Sequence, residues 1–429
     1  MYDMKRLADL VKSLEDQLVV CMRCGMCQAV CPVFAETGRE ADVARGKLAL
    51  LDGLIQEMFK DPEGVRERLS RCLLCGSCAA NCPRGVKVLD IFFKARTILT
   101  GYMGLSPVKK VVFRGMLAQP KFFDGLLRLA APLQKLLFVP SDDFSGLSCA
   151  RFTIPGLDRR LKSFAPVPFR ESVGEVRTNG GSGLKAAFFV GCMIDKMYPN
   201  IGHAAVKALE HNGIGIFMPR EQGCCGIPAL ASGDVETFRR LVRYNLERFR
   251  PDEFDFLVTA CATCTSTIRK LWPQFADQLS GEENSLVKEL AEKTLDISQF
   301  LVDRAHIAAG EGEVSREGSL LTYHDPCHLK KSLGVAAQPR TLIRSNPRYV
   351  FREMKEADRC CGCGGSFNMQ YYSISASIGR RKAETIIESG CSTVATSCPA
   401  CMFQMTDMLA REGARIAVKH AIEIYAESL

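Results

Sequence analysis

Cysteine spacing constrains this chain more than any other feature of its sequence. Twenty-one of the 429 residues are cysteine. Residues 21–32 read C-M-R-C-G-M-C-Q-A-V-C-P and residues 72–83 read C-L-L-C-G-S-C-A-A-N-C-P, so both follow the pattern C-x2-C-x2-C-x3-C-P. The N-terminus carries acidic residues among its apolar ones, so neither a signal peptide nor a transit peptide is expected there. Dense cysteine in such a chain indicates metal binding in a reducing compartment rather than a disulfide framework.

The two runs have the ligand spacing of bacterial two-cluster ferredoxins. Three thiolates on one tight loop can hold three irons of a [4Fe–4S] cube, and the fourth cysteine, followed by Pro, leaves in a new direction. In two-cluster ferredoxins that fourth cysteine ligates the other cluster. Zinc is disfavoured, because it takes two separated cysteine pairs per ion. We therefore predict two [4Fe–4S] clusters with crossed ligand sets, Cys21, Cys24, Cys27 and Cys82 for the first and Cys72, Cys75, Cys78 and Cys31 for the second.

A second grid of cysteines lies in the C-terminal half. One set is the other displaced by 135 to 137 residues, and each set contains an adjacent pair followed by Gly. The first set is Cys192, Cys224, Cys225, Cys261 and Cys264, and the second is Cys327, Cys360, Cys361, Cys398 and Cys401. These cysteines are the candidate ligands of further clusters.

Hydrophobic periodicity predicts the surrounding elements. Helices are predicted over 4–18, 42–59 and 88–99 near the N-terminus, and over 199–212, 234–249, 374–389 and 402–411 in the repeats. Strands are predicted over 184–191, 213–219, 256–260, 319–323, 349–354 and 393–396, each before a repeat cysteine. Alternating strands and helices predict parallel sheets, with the cysteines at the carboxyl ends of the strands, where α/β sheets place their sites.

These patterns predict a multidomain protein of α plus α/β class. We expect a helical two-cluster ferredoxin module at residues 1–100 and a basic amphipathic linker at 101–180. Two tandem α/β domains are expected to follow at 181–310 and 311–429.

The five-cysteine pattern resembles that of the CCG-domain proteins. These include heterodisulfide reductase subunits and the iron–sulfur subunits of glycolate and lactate dehydrogenases. The order of modules, the stretch C-P-R-G-V-K from Cys82 and the terminal V-K-H-A-I-E-I are most similar to the glycolate oxidase iron–sulfur subunit. The resemblance implies that a complete CCG set binds a noncubane [4Fe–4S] cluster, so one or two such clusters are expected beside the two cubanes. The alternatives are one cluster plus a structural cysteine set, or two sets of buried thiols.

The resemblance also implies a function. We expect an electron-transfer subunit of a flavin-dependent glycolate or lactate dehydrogenase, which receives electrons from an FAD-containing partner subunit and passes them toward quinone or another membrane carrier. No flavin is expected on this chain, because it has no G-x-G-x-x-G opening a helix. The alternative is a catalytic, heterodisulfide reductase-like subunit that reduces a disulfide or persulfide at noncubane clusters.

Charge is concentrated in the linker. Of the net charge of +8, residues 101–180 contribute +6. Their amphipathic stretches at 108–118 and 121–138 predict surface helices, for which three roles stay open: contact with an anionic bilayer, docking of a partner subunit, or packing on the ferredoxin module. The expected location is therefore cytoplasmic, with peripheral contact at the inner face of the membrane as one option. No 18-residue apolar run predicts a membrane span, and nothing indicates nucleic-acid binding.

Several residues outside the grids have weaker claims to function. Cys149 is expected to be an idle thiol of the linker, and Cys391 a thiol of the core. Cys363 is expected to lie near a cluster without binding it. His324 and His328 flank Cys327 and are either hydrogen-bond partners of the site or structural. Trp272 is expected to be a packing residue, and Lys330 and Lys331 a solvated helix end.

Overall fold

The computed structural model describes residues 3–58, 61–141, 144–151, 160–276, 279–308 and 318–429. The chain divides into two compact units that do not follow chain order. The first comprises Met1–Gly115, Gly226–Phe238 and Cys360–Gly379, and the second Met116–Cys225, Arg239–Arg359 and Arg380–Leu429. The expected boundary at 310/311 lies outside the described residues. The other domain limits stay predictions.

The N-terminal part of the first unit is helical, as predicted. Its helices are Met4–Lys12, Glu15–Leu18, Met26–Val30, Pro32–Thr37, Ala44–Ile55, Pro62–Ser70, Ser77–Ala80, Val88–Met103 and Pro107–Lys110, with a 3-10 turn at Glu40–Asp42. The single helix predicted over 4–18 is in fact two helices, and the Ser13 hydroxyl at the break donates to the carbonyl of Leu10 at 2.8 Å. Phe59, the end of another predicted helix, lies outside the described residues.

Two segments from the repeats complete the first unit. One begins at the glycine of the first C-C-G sequence, and the other begins with the whole of the second. Each contributes one short helix, Ile227–Ala231 or Ser366–Gln370, and the beginning of a longer one, Val235–Leu246 or Tyr372–Glu388. Arg96 donates to the carbonyl of Ala231 at 2.7 Å, and the Thr100 hydroxyl donates to that of Ser232 at 3.1 Å. In the other segment, the Ser377 hydroxyl donates to Glu36 at 2.5 Å. The N-terminal helices therefore pack against equivalent pieces of both repeats.

The second unit holds three sheets. A small antiparallel sheet, absent from the sequence prediction, has the order β1-β2-β3: β1 (Phe138–Pro140), β2 (Leu147–Ala150) and β3 (Leu161–Lys162). The first repeat forms β4 (Val176–Arg177), β5 (Lys185–Phe188), β6 (Gly215–Met218), β7 (Phe256–Thr259) and β8 (Thr294–Asp296). The second repeat forms β9 (Ser319–Tyr323), β10 (Tyr349–Phe351), β11 (Thr393–Thr396) and β12 (Ala417–His420).

The two larger sheets share one topology. Their orders are β4-β6-β5-β7-β8 and β10-β9-β11-β12, and all neighbouring pairs are parallel except β4 with β6. If the antiparallel edge strand β4 is set aside, the strands of each repeat, numbered along the chain, lie side by side in the order second, first, third, fourth. Each of the six predicted strands overlaps an observed strand, which is consistent with the α/β class predicted for both repeats. The fourth strand of each repeat was not predicted.

Helices surround these sheets. Those of the second unit are Pro120–Leu137, Phe169–Val173, Cys192–Met197, Pro199–His211, Val235–Leu246, Ala262–Ser266, Trp272–Gln274, Gly281–Lys293, Ile297–Asp303, Cys327–Leu333, Ala337–Arg344, Tyr372–Glu388, Pro399–Arg411 and Ala421–Ala426, with a 3-10 turn at Pro251–Glu253 and a π-helix at Thr267–Leu271. Another π-helix, Val111–Leu117, begins in the first unit and ends in the second. Among the described residues, none of the helices is both long enough and apolar enough to cross a bilayer. Aromatic side chains such as Phe189, Phe217 and Phe249 fill the core of the first repeat.

Candidate cluster-binding sites

The first cysteine run lines a surface pocket. Cys21, Cys24 and Cys27 lie on its wall together with Cys82, the last cysteine of the second run, and Cys78 of that run also lines it. Gly25 has a φ of 87° and begins the helix Met26–Val30, so the chain turns sharply between the cysteines. A glycine adopts this left-handed conformation at little cost. Cys24 is the one exposed cysteine among the described residues, so this site opens to solvent.

Cys31 lies beside the second run rather than its own. Burial raises the pKa of Cys31 to about 12, and the nearby thiols of Cys72 and Cys75 add to the shift. Burial also raises the pKa of Cys78 well above its ordinary value, and Cys72, Cys75 and Cys31 contribute to that shift too. The fourth cysteine of each run is thus near the first three of the other, the arrangement that crossed ligand sets require.

Two buried cations accompany the second run. Arg96 is 8% exposed and donates to the carbonyl oxygens of Leu69 at 2.6 Å and Cys72 at 3.0 Å. Lys47 is 1% exposed and donates to the carbonyl oxygen of Asp42. Burial lowers the pKa of Lys47, while the thiolates of Cys72 and Cys31 oppose that shift. The enclosed site is therefore positively charged on one side.

The second run also meets the second C-C-G loop inside the first unit. A hydrogen bond between the thiols of Cys75 and Cys360, followed by burial, raises the pKa of Cys75 well above its ordinary value. Gly364 approaches the run so closely that a Cβ there would lie 2.6 Å from Leu73 Cδ2. The loop is fixed by Ser375, whose hydroxyl donates to the carbonyl of Gly362 at 2.8 Å. One dicluster thiol and one CCG thiol are therefore in contact.

The five cysteines of the first CCG set come together in the second unit. They follow the carboxyl ends of β5, β6 and β7, as the sequence predicted. The sulfurs of Cys192 and Cys224 lie 3.9 Å apart. Hydrogen bonds with Cys225 and then Cys261, together with burial, raise the pKa of Cys264 well above its ordinary value. Because thiolates are the ligands that iron–sulfur clusters use, five thiols gathered at one place favour a shared metal centre.

Side chains that the sequence analysis missed hold this set in place. Asn245 is fully buried, accepts from the backbone N–H of Gly223 at 2.9 Å and donates to the carbonyl of Cys224 at 3.1 Å. Trp272 packs in the core, as predicted, and its indole N–H also donates to the carbonyl of Cys225 at 2.9 Å. No local sequence signal identifies Asn245, because its partners are about twenty residues away.

The second CCG set is divided between the units. Cys327, Cys398 and Cys401 belong to the second unit, and Cys360 and Cys361 to the first. Within the second unit, Cys398 and its repeat counterpart Cys261 share a hydrogen bond that lowers the pKa of Cys398 well below its ordinary value. The two repeats are also joined there by the Ala262 N–H, which donates to the carbonyl of Ser397 at 3.0 Å.

A threonine and a histidine adjoin Cys398. The hydroxyl of Thr263 lies 3.5 Å from Cys398 Sγ and 3.0 Å from His328 Nδ1. His328 is therefore part of a polar chain that reaches a candidate ligand. His324 differs, because its Nδ1–H donates to the carbonyl of Ala357 at 3.1 Å and burial lowers its pKa to about 3. A ring nitrogen of this neutral, buried imidazole also lies within 4.8 Å of Cys401 Sγ, so His324 adjoins a candidate ligand as well.

The remaining residues outside the grids are placed as follows. Cys149 is half-buried on β2, and Cys391 is buried with its Sγ 3.8 Å from the carbonyl oxygen of Ser389. Cys363 is buried in the loop that follows Cys361. Lys330 pairs with Asp325 at 3.3 Å.

The linker helix Pro120–Leu137 lies against the first repeat. Its Asp124 pairs with Lys196 at 2.9 Å, and its Arg128 pairs with Glu171 at 2.9 Å. The opposite face bears exposed apolar side chains, namely Phe122, Leu126, Leu129, Leu136 and Leu137. Contacts with a bilayer or a partner through this face stay predictions.

Comparisons with known proteins agree with this arrangement of modules. The family model described as a 4Fe-4S dicluster domain matches residues 17–86, and the cysteine-rich CCG domain matches residues 186–269 and again 321–406. The chain is an iron–sulfur protein with one dicluster domain and two CCG domains. The resemblance stated from the sequence is thereby confirmed, and so is the binding of 4Fe–4S clusters as a class of cofactor.

Two relatives that match nearly the whole chain are named as subunits of redox enzymes. The chain is 27% identical to a probable glycolate oxidase iron-sulfur subunit of Bacillus subtilis, over 99% of its own length and 98% of the relative's. It is 26% identical to one of the subunits of the dihydromethanophenazine:CoB–CoM heterodisulfide reductase of Methanosarcina barkeri, over 96% and 94% of the two chains. A lactate utilization protein A of an Exiguobacterium species is 28% identical over 57% of this chain and 97% of the relative.

Proposed function

We propose that this iron–sulfur protein is the electron-transfer subunit of a flavin-dependent glycolate or lactate dehydrogenase. An FAD-containing subunit would oxidise the 2-hydroxy acid, and quinone or another membrane carrier would finally accept the electrons. The contact between Cys75 and Cys360 carries the proposal, because it joins the dicluster module to a CCG loop within one unit. The name of one full-length relative, a probable glycolate oxidase iron-sulfur subunit, supports the same role. The name of another, a heterodisulfide reductase subunit, corresponds to the alternative considered below.

The dicluster residues fit two cubane clusters. Four cysteines of the first set line one pocket, and Cys31 lies with the second run. We assign Cys21, Cys24, Cys27 and Cys82 to one cluster and Cys72, Cys75, Cys78 and Cys31 to the other. A bound [4Fe–4S] cluster supplies one-electron redox chemistry. The chain's own residues set the conditions: Lys47 and Arg96 offset negative charge at the second site, and Arg45 lies beside Cys27 at the first.

The CCG residues are proposed to hold one or two noncubane clusters. The first set would use Cys192, Cys224, Cys225, Cys261 and Cys264, and the second Cys327, Cys360, Cys361, Cys398 and Cys401. Asn245 and Trp272 position the backbone around Cys224 and Cys225. Their hydrogen bonds keep the paired cysteines in register with Cys192 and Cys264.

Iron counting on anaerobically purified protein tests the cofactor assignment. We expect about sixteen irons and matching sulfide if four clusters are present, about twelve with three, and about eight if only the dicluster sites are filled. Cys24→Ser should remove about four irons, whereas Cys149→Ser, outside both grids, should remove none. A folded, iron-free protein would contradict the proposal.

Reduction through a flavoprotein tests the role. The chain should co-purify with a flavin-containing subunit, and glycolate or lactate should then reduce its iron–sulfur absorbance and produce EPR signals. If dithionite reduces the protein but the flavoprotein with its substrate does not, the clusters are present and the assigned electron donor is wrong.

A catalytic, disulfide-reducing role is less well supported. It needs space for a substrate beside a CCG set. The cavity against Cys192 and Cys224 has a volume of about 20 Å³, and Leu117 and Phe123 line it. That is room for about one water molecule. This observation favours electron relay at the first CCG set.

A further inference from the structure

The exposed cysteine site lies in an apolar surface. Around Cys24, four side chains stand out in solvent: Val19 is 74% exposed, Val20 37%, Met22 63% and Met26 54%. We call these four residues the Cys24 collar. Large apolar side chains grouped around a functional group on a surface mark an interaction site. Methionine suits such a surface, because its flexible thioether adapts to different partners.

The charges beside the collar are mainly positive. Two of the segments that line the pocket, residues 21–27 and 82–88, contain three cations, Arg23, Arg84 and Lys87, and no carboxylate. A third segment, residues 44–48, contributes Arg45, which pairs with Glu40 at 2.6 Å. Arg84 and Lys87 are exposed. Arg23 pairs with Asp52 at 2.8 Å, yet its side chain remains 66% exposed. An apolar centre bordered by basic residues fits a protein face with an apolar centre and an acidic border.

We propose that the Cys24 collar is the docking surface for the protein that donates electrons to this chain. The donor presents its redox group beneath an apolar patch bordered by carboxylates. The inference rests on the proposed electron-transfer role and adds where that partner binds. One electron leaves the reduced donor, and the site held by Cys21, Cys24, Cys27 and Cys82 gains it, with no bond formed or broken.

Position within the molecule supports this assignment over docking at the second run. Electron transfer slows steeply with distance, so a partner reaches the least covered site first. Cys24 is exposed, whereas Cys31, Cys72, Cys75 and Cys78 are half-buried or enclosed by other thiols. A bilayer fits the collar less well, since membrane-binding surfaces are usually longer amphipathic helices.

A stopped-flow experiment on the cluster-loaded protein tests the proposal. The probe is photoreduced flavodoxin, an acidic flavoprotein, and the readout is bleaching of the iron–sulfur absorbance. The double variant Met22→Glu/Met26→Glu should slow the second-order reduction at least tenfold, because it places carboxylates in the apolar centre of the contact. Leu129→Glu changes an equally exposed apolar residue on the linker helix and should leave the rate unchanged. Increasing salt should slow the wild-type reaction and affect Arg84→Glu/Lys87→Glu less.

Two comparisons separate this inference from the proposed function. Dithionite, a small reductant, should reduce every variant equally and give unchanged EPR spectra. If dithionite fails on the wild type, the electron-transfer role itself fails. If dithionite succeeds but the collar variant reacts with flavodoxin within twofold of wild type, or flavodoxin is no faster than free reduced FMN, the docking surface is wrong. Loss of binding to phosphatidylglycerol vesicles in the collar variant, without a change in the flavodoxin rate, would also overturn it and assign the collar to a membrane.

Discussion

The two ferredoxin-type runs have the same spacing and opposite environments. The first lies in a surface pocket, with Cys24 exposed and Arg45 as its cation. The second is surrounded by buried cations and touches the C-C-G loop through Cys75. Identical motifs therefore provide different functions: one site is suited to exchange with a partner, and the other to exchange within the chain. Five experiments test this contrast, and they follow in order of decreasing effect.

The largest difference is expected between the reactivities of the Cys24 and Cys31 thiols in the cluster-free protein. Because burial raises the pKa of Cys31 to about 12, its thiolate at pH 8 is about a thousandfold scarcer than that of a free thiol. Iodoacetamide should therefore label exposed Cys24 rapidly and Cys31 slowly, with Cys31 labelling about tenfold faster per pH unit up to pH 12. Peptide mass spectrometry measures both.

The same pKa gives a stability test of definite sign. The folded chain holds the Cys31 proton more tightly than the unfolded chain, whose thiol has a pKa of about 8.5. This contribution to the free energy of unfolding is complete below pH 8.5 and declines as the pH rises toward 12. Equal labelling of Cys24 and Cys31, or no such decline in urea titrations of wild type relative to Cys31→Ala, would contradict the enclosed environment.

Removal of a buried cation should have the next largest effect. Arg96→Met leaves the carbonyl oxygens of Leu69, Cys72 and Ala231 without their donor, so we expect a loss of about 3 kcal/mol in the free energy of unfolding. Arg45→Met, at the open site, is the matched control and should change stability far less. Anaerobic urea unfolding, followed by loss of iron–sulfur absorbance, compares them. Similar losses in both variants would show that the two sites are equally exposed to solvent.

The reduction potentials should differ by a smaller energy. Lys47→Met removes a buried positive charge near Cys72 and Cys31. The reduced state carries one more negative charge, so the potential of the second site should fall by roughly 50–100 mV. Anaerobic EPR titration should find the first site unchanged. A shift in the potential of the first site, or no shift at the second, would show that Lys47 does not act on the second run as predicted.

The smallest expected effect is at Cys398, a candidate ligand in the second repeat, and it concerns a reduction potential. The Thr263 hydroxyl lies 3.5 Å from Cys398 Sγ. Thr263→Val keeps the shape and loses a weak hydrogen bond, so the potential of the associated EPR signal should fall by about 20–40 mV. Thr267→Val is the matched control, since that hydroxyl donates to the carbonyl of Thr263 rather than to a sulfur. Equal shifts in the two variants would point to helix distortion instead.

Much of this architecture was readable from the sequence because it depends on local patterns. Cysteine spacing identified the runs and the repeats, and apolar segments located the six inner strands. The fourth strands were missed because they are short and polar at their ends, as Asp296 in β8 and His420 in β12 illustrate. The charges of Lys47 and Arg96 gave no sign of burial, since their partners are backbone carbonyls and distant thiols. Nor does any local pattern predict that 226–238 and 360–379 join the N-terminal helices.

That last arrangement has a consequence for biosynthesis. The Arg96–Ala231 hydrogen bond joins residues 135 positions apart, and the side-chain contact of Ser70 with Tyr371 joins residues 301 apart. Domains made first on the ribosome usually fold first. Here the module translated earliest cannot complete its packing until most of the polypeptide has emerged, so its cofactors can be sealed in only after translation is nearly finished. Until then the nascent chain carries eight closely spaced thiols in an unfinished fold, open to oxidation and to the wrong metals.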